Sequence, residues 1–252
     1  MLEHFLTLNT FHILLVFVRM GTVFMLLPGF AAGYVPVRIR LLIAVTVTLV
    51  VVPLVSPVLP DLPDTAIEMV RLILLESFYG IFMGLLAQGA MAALHLAGSS
   101  IGHNTGLMNA MVFDPVTEQQ GALVVGFLAN VVIVLLFVMD MHHLVIQAVV
   151  SSYAVFIPGA SLMPADHLIL FTDQLSKSFF MGLQLASPFI VYAIVFQSTM
   201  GVLARLAPQM NVFFVALPLQ IILGLGMLMV AMPGLMLWYL AFYEDTFTRF
   251  LP

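Results

Sequence analysis

From Leu206 to Tyr243 the chain carries no charged residue and no histidine. A helix needs only about 20 apolar residues to cross a hydrocarbon core, so this run is too long for one straight span. Pro218, Pro233 and Gly234 offer places to kink or turn, which leaves a bent helix and a tight helical hairpin both open. The rest of the chain is of the same kind. Of its 252 residues 63% are hydrophobic and 8% charged, against roughly 45–50% and about 25% in a soluble domain. Lys and Arg number 7 and Asp and Glu 12, too few to coat a soluble core, so most of the surface must face lipid or other protein. A net charge of -5 with so few cations excludes nucleic acid as a partner. Cysteine is absent, which removes disulfides, thiolate metal sites and cysteine nucleophiles.

About six apolar segments of spanning length follow one another: Phe5–Leu27, Leu41–Leu59, Met69–Leu94, Ala122–Ile157 (interrupted at Asp140), Phe179–Leu203 and Val212–Tyr243. Between them stand Pro28-Gly29 with Gly33 and Pro36, then Pro57, Pro60-Asp61 and Pro63-Asp64, then Pro158-Gly159 and Pro164, then Pro208. This is turn chemistry. Runs longer than ten residues without period-two alternation predict helices rather than barrel strands. The expected fold is therefore all-α, a single helical unit over residues 1–252 of integral-membrane type, with some helices kinked or paired as hairpins. Glu3 stands where a secretory signal would carry a positive charge, so the first segment is expected to be retained. Arg38, Arg40 and Arg205 against Asp61, Asp64 and Glu68 favour both termini outside the cytoplasm.

Several constellations invite a chemical reading. Glu76, Gly80, Gly84 and Gln88 recur at a spacing of four and share a helix face. That face suits close helix contact with a satisfied carboxylate, and also a place for Glu76 in a proton pathway. Gly98, Gly102 and Gly106 repeat the spacing. Leu107-Met108-Asn109-Ala110-Met111-Val112-Phe113 then runs uncharged into Asp114-Pro115, too short to span a bilayer. It reads either as a re-entrant loop, tolerated at membrane depth only against protein or a cavity, or as an ordinary helix end and connection. Gly98-Ser99-Ser100-Ile101-Gly102 matches the G-x-S-x-G elbow formally, but its N-terminal flank reads as helix where the elbow needs a strand. His95 and His103 are too far apart along a helix to chelate, and adjacent His142 and His143 are expected to point apart, so no metal site is assigned. Neither H-E-x-x-H nor a Walker A loop occurs. No cofactor and no catalytic role are expected. The 18 methionines suit either an adaptable seal between subunits or the filling of an apolar interior.

The run Gly201-x-x-x-Arg205-x-x-Pro208-Gln209-Met210-Asn211-Val212-Phe213, followed by Pro218 and Gly224, resembles the C-terminal signature of the FliR family of flagellar type III export-gate proteins. Further landmarks occur in similar order: Arg19 with Pro28-Gly29, Pro36 with Arg38 and Arg40, Glu76 with Gly80 and Gly84, Gly102 and Gly106 leading to Asp114-Pro115, and Pro188. Gln220 departs from the Lys that often follows that proline in the family. The resemblance implies a subunit of a hetero-oligomeric gate in the bacterial inner membrane, at the flagellar basal body. There it would pack beside FliP-like and FliQ-like subunits and membrane lipid, with an FlhB-like subunit on the cytoplasmic side and unfolded export substrates passing through the centre. It also implies that Gly106–Pro115 is an apolar plug, in which Leu107, Met108, Met111, Val112 and Phe113 fill a narrow passage. The rival from another class is a secondary transporter or proton-coupled carrier using Glu76, Asp140 and Arg205.

Overall fold

The computed structural model describes residues 2–30, 33, 35–107, 111–114, 119–159, 164–207, 209 and 212–251. Seven α-helices account for most of them: α1 (Leu2–Leu26), α2 (Val37–Val55), α3 (Ala66–Asn104), α4 (Leu123–Val138), α5 (Met141–Val155), α6 (Pro164–Leu206) and α7 (Val212–Thr248). A 3-10 turn, Ser56–Val58, closes α2, and a short ribbon of β1 (Met111–Asp114) and β2 (Gln119–Ala122) lies between α3 and α4.

Local chemistry explains the helix ends. Pro36 sits with extended ψ before α2, and its carbonyl accepts from Ile39 and Arg40 N–H at 3.0 and 3.1 Å. Thr65 opens α3, its hydroxyl accepting from Glu68 N–H at 3.3 Å, the first half of a Thr-x-x-Glu capping box. Helix α3 ends at Asn104, and two residues on Gly106 takes φ 77°, a left-handed conformation that favours glycine. Pro164 stands at the first position of α6, where its missing N–H costs nothing. Pro188 in α6 and Pro218 and Pro233 in α7 lie inside continuous helices, so Val212–Thr248 is one helix and not a hairpin.

The apolar segments are all helical, and four described helical stretches are long and apolar enough to cross a membrane: Val37–Val58, Ala66–Asn104, Asp166–Leu206 and Ala216–Thr248. Helices α4 and α5 make a fifth if taken as one broken span, bent by 74°. Asp140 makes the break, and it is the non-glycine residue with positive φ (57°) among those described.

The ribbon is the departure from an all-helical chain. Its register is antiparallel, Met111 opposite Ala122 through Asp114 opposite Gln119. Val112 and Phe113 favour extended backbone, and Asp114-Pro115 ends the first strand.

Contacts gather the chain into two compact units, one of residues Met1–Gly89, Leu136–Gln174 and Tyr243–Pro252, the other of Ala90–Leu135 and Leu175–Phe242. Four helices contribute residues to both, so no linker divides them in the sequence. In the first unit Phe11, Leu15 and Leu72 form a buried cluster with Met69 and Ile73 packed against it.

Candidate functional site

In the first unit, α3 lies along α1. Gly80 meets α1 so closely that a Cβ there would overlap the Thr22 hydroxyl and come within 2.5 Å of the Arg19 carbonyl oxygen. At Gly84 a Cβ would lie 2.6 Å from Leu26 Cβ. Gln88 Nε2 donates to the Leu26 carbonyl at 2.6 Å. Contacts advance along both chains together, so the two helices run parallel here.

Arg19 and Glu76 join these helices at a fully buried ion pair, each side chain 0% exposed. Arg19 Nε donates to Glu76 Oε2 at 2.7 Å and one terminal nitrogen to Oε1 at 2.9 Å, a bidentate arrangement. Two of the remaining donors reach α5 and its end, Ser152 Oγ at 3.2 Å and the Phe156 carbonyl at 3.1 Å. The guanidinium carbon lies 3.8 Å from the Tyr153 ring centroid and 5.0 Å from that of Tyr79. Sequence reasoning placed Glu76 on a packing face but missed Arg19 as its partner. The signal was present: a lone cation and a lone carboxylate inside two apolar runs each need an opposite charge.

In the second unit a Cβ on Gly98 would lie 2.8 Å from Val125 Cα, and one on Gly102 would lie 3.7 Å from Val124 Cγ2, so both glycines face the start of α4. Beyond them comes the neck of the loop. Thr105 is fully buried, and its hydroxyl donates to the Ile101 carbonyl at 2.8 Å. Leu107 is buried and Gly106 half-buried. Of the plug residues named from the sequence, Met111, Val112, Phe113 and Asp114 form β1, while Met108, Asn109, Ala110 and Pro115 lie outside the described residues. The neck packs against α7. Gln220 Nε2 donates to the Asn104 carbonyl at 2.9 Å, and a Cβ on Gly224 would come within 2.6 Å of Thr105 Cβ.

Residues of the C-terminal signature are spread along two helices. Gly201 is in α6 with nothing within 4 Å of where a Cβ would be, and Arg205 is exposed in the last turn of α6. Gln209 is exposed in the turn, Pro218 and Gly224 are in α7, and Phe213 is in its first turn. Pro208 and Asn211 lie outside the described residues.

The elbow reading does not survive, because Gly98 to Gly102 is continuous helix and Ser100 Oγ accepts from the Asn104 amide at 3.4 Å. His95 Nδ1 is 3.1 Å from the Met91 carbonyl. The two adjacent histidines correct the sequence expectation. Their rings lie 4.1 Å apart, and one ligand atom each from Asp140, His142 and His143 falls within 4.8 Å of the others, since the left-handed turn at Asp140 folds the three together. Asp140 and His143 are largely exposed, and the group occupies the first turn of α5, where the positive helix end opposes a cation.

Fold and site together define a polytopic, helical, membrane-type protein with a buried ion-pair clamp and, after α3, a neck packed on α7 that leads to a short ribbon. Residues 10–246 match the model of the family described as bacterial export proteins, family 1. The chain is 35% identical over 238 residues to the flagellar biosynthetic protein FliR of Caulobacter vibrioides, covering 93% of this chain and 94% of that one. It is 28% identical to FliR of Bacillus subtilis (87% and 85% covered) and 27% identical to FliR of Escherichia coli (79% and 76%). The chain belongs to the FliR family of bacterial export proteins.

Proposed function

We propose that this chain is a structural, non-catalytic subunit of the flagellar type III export gate in the bacterial inner membrane. It assembles with FliP-like and FliQ-like subunits around a channel, with an FlhB-like subunit at its cytoplasmic side, and needs no cofactor. Gly106–Pro115 is the plug that closes the channel until an unfolded substrate passes.

The observation that carries this reading is the apolar segment that leaves α3 past a left-handed glycine and whose strand Met111–Asp114 pairs with Gln119–Ala122 before α4 begins. Ribbon pairing gives the inward-facing backbone groups of Met111–Asp114 their partners, part of what a loop in a dry passage requires. An apolar constriction of this kind holds back water and ions and still yields to an entering chain. Membership of an export family and relatives named as flagellar biosynthetic proteins support the setting. A proton-coupled carrier would need Glu76 free to exchange protons, whereas Arg19 engages both of its oxygens.

The test is deletion of Leu107–Phe113 in the chain co-expressed with its partner subunits and reconstituted in a planar bilayer. Basal ion conductance rises while the complex still co-purifies. Unchanged conductance in an intact complex rejects the plug.

A further inference from the structure

Resting on that plug reading, we infer that Gln220 and Gly224 of α7 form a latch on the plug's neck, with Gln220 as the positioning residue that sets the gate's resting closure. Asn104 ends α3, so its carbonyl is among those a helix leaves without an internal partner. Gln220 Nε2 caps it at 2.9 Å. The next residue, Thr105, is pressed against α7 where Gly224 has no side chain, since a Cβ there would lie 2.6 Å from Thr105 Cβ and 3.2 Å from its Cα. Gly106 follows, its Cβ position 3.6 Å from both Gln220 Cδ and Ile221 Cγ1.

Gln220 and Gly224 are four residues apart and so share one face of α7. Three successive neck residues therefore meet that face immediately before the position, φ 77° at Gly106, where the backbone turns most easily. Thr105 spends its hydroxyl inside its own helix, on the Ile101 carbonyl. Among the described residues the Gln220 amide is thus a polar link from α7 to the neck. Gln220 is itself steadied by α6, because the Tyr192 hydroxyl donates to its carbonyl at 3.0 Å. A glutamine at this point donates a hydrogen bond and adds no charge beside the passage. Its bond is also weak enough to break when a substrate displaces the plug.

The test uses the complex with its partner subunits in planar bilayers, with the Leu107–Phe113 deletion defining unplugged conductance. Gln220→Ala and Gln220→Glu each lose the donor and raise basal conductance about fivefold, the fold-change of one ordinary hydrogen bond. Gln220→Lys, whose ammonium donates to the same carbonyl, stays within twofold of wild type. A second variant leaves Gln220 in place. Because the chain has no cysteine, Thr105→Cys with Gly224→Cys gives one defined pair, and the close approach of those positions suits a disulfide after a shift of about 1 Å. Oxidation blocks substrate export and reductant restores it. If the deletion conducts while Gln220→Ala and Gln220→Glu stay at the wild-type level, the latch is overturned and the plug stands. Export through the oxidised pair at the reduced rate also overturns the latch. A silent deletion overturns both.

Discussion

Arg19 carries a full positive charge with no access to solvent, and Glu76 makes that tolerable. Glu76→Ala leaves the guanidinium with Ser152, the Phe156 carbonyl and two tyrosine rings but no counter-charge. We expect a loss of about 3–5 kcal/mol, measured as a fall in the melting temperature and yield of the purified complex. Arg19→Met combined with Glu76→Leu recovers most of it, because the pair's attraction largely offsets its own desolvation. The Glu76, Gly80, Gly84 face was legible, since a spacing of four needs only helical geometry. What lies against it was not. Arg19 is 57 residues away, and no local periodicity says which of several apolar runs packs on which.

At the level of elements, the α4–α5 corner turns on one residue. Asp140 holds φ 57°, begins α5 without a side-chain cap, and meets His143 Nδ1 at 3.4 Å with both groups well exposed, a contact worth little. Asp140→Gly therefore keeps the 74° bend and raises stability by up to about 1 kcal/mol, whereas Asp140→Val lowers it by about 1–2 kcal/mol. Thermal unfolding of both variants in detergent checks the sign of each. A break at Asp140 was legible as the one charge in a long apolar run. Helix ends were less so: α6 begins at Pro164, well before the apolar stretch at Phe179, because Pro164 and Asp166 suit a helix's first turn and the run Leu168-Ile169-Leu170-Phe171 extends the apolar pattern across Asp173 and Lys177. Arg38 and Arg40, counted as loop cations, lie in the first turn of α2, and Arg40 is buried there. The ribbon was illegible because four-residue strands leave too short a pattern to separate from a loop.

For the whole molecule, the question is what covers the apolar surface. Only 22% of the most apolar window of α2, and the same share of α7, is buried within the chain. Leu42, Val50, Leu54, Met229 and Val230 are each more than half exposed. Lipid accepts such surface readily, so exposure alone fits any membrane protein. The glycines add a second constraint. Gly126, Gly201, Gly226 and Gly234 lie inside helices, each costing about 1 kcal/mol relative to Ala, and have nothing within 4 Å of their Cβ positions. Gly80, Gly98 and Gly224, by contrast, each serve a contact inside the chain. A helix backbone from another subunit would make use of these four open positions, whereas lipid would not. The chain expressed alone is therefore expected to aggregate or run as mixed species on size exclusion in mild detergent. On the export-gate proposal, co-expression with FliP-like and FliQ-like subunits is expected to give one stable complex. Gly226→Ala and Gly234→Ala then leave the helical content of the chain unchanged but lower the recovery of that complex several-fold. A chain that is monodisperse alone and carries a small solute unaided would instead support the transporter reading, and with it a surface built for lipid.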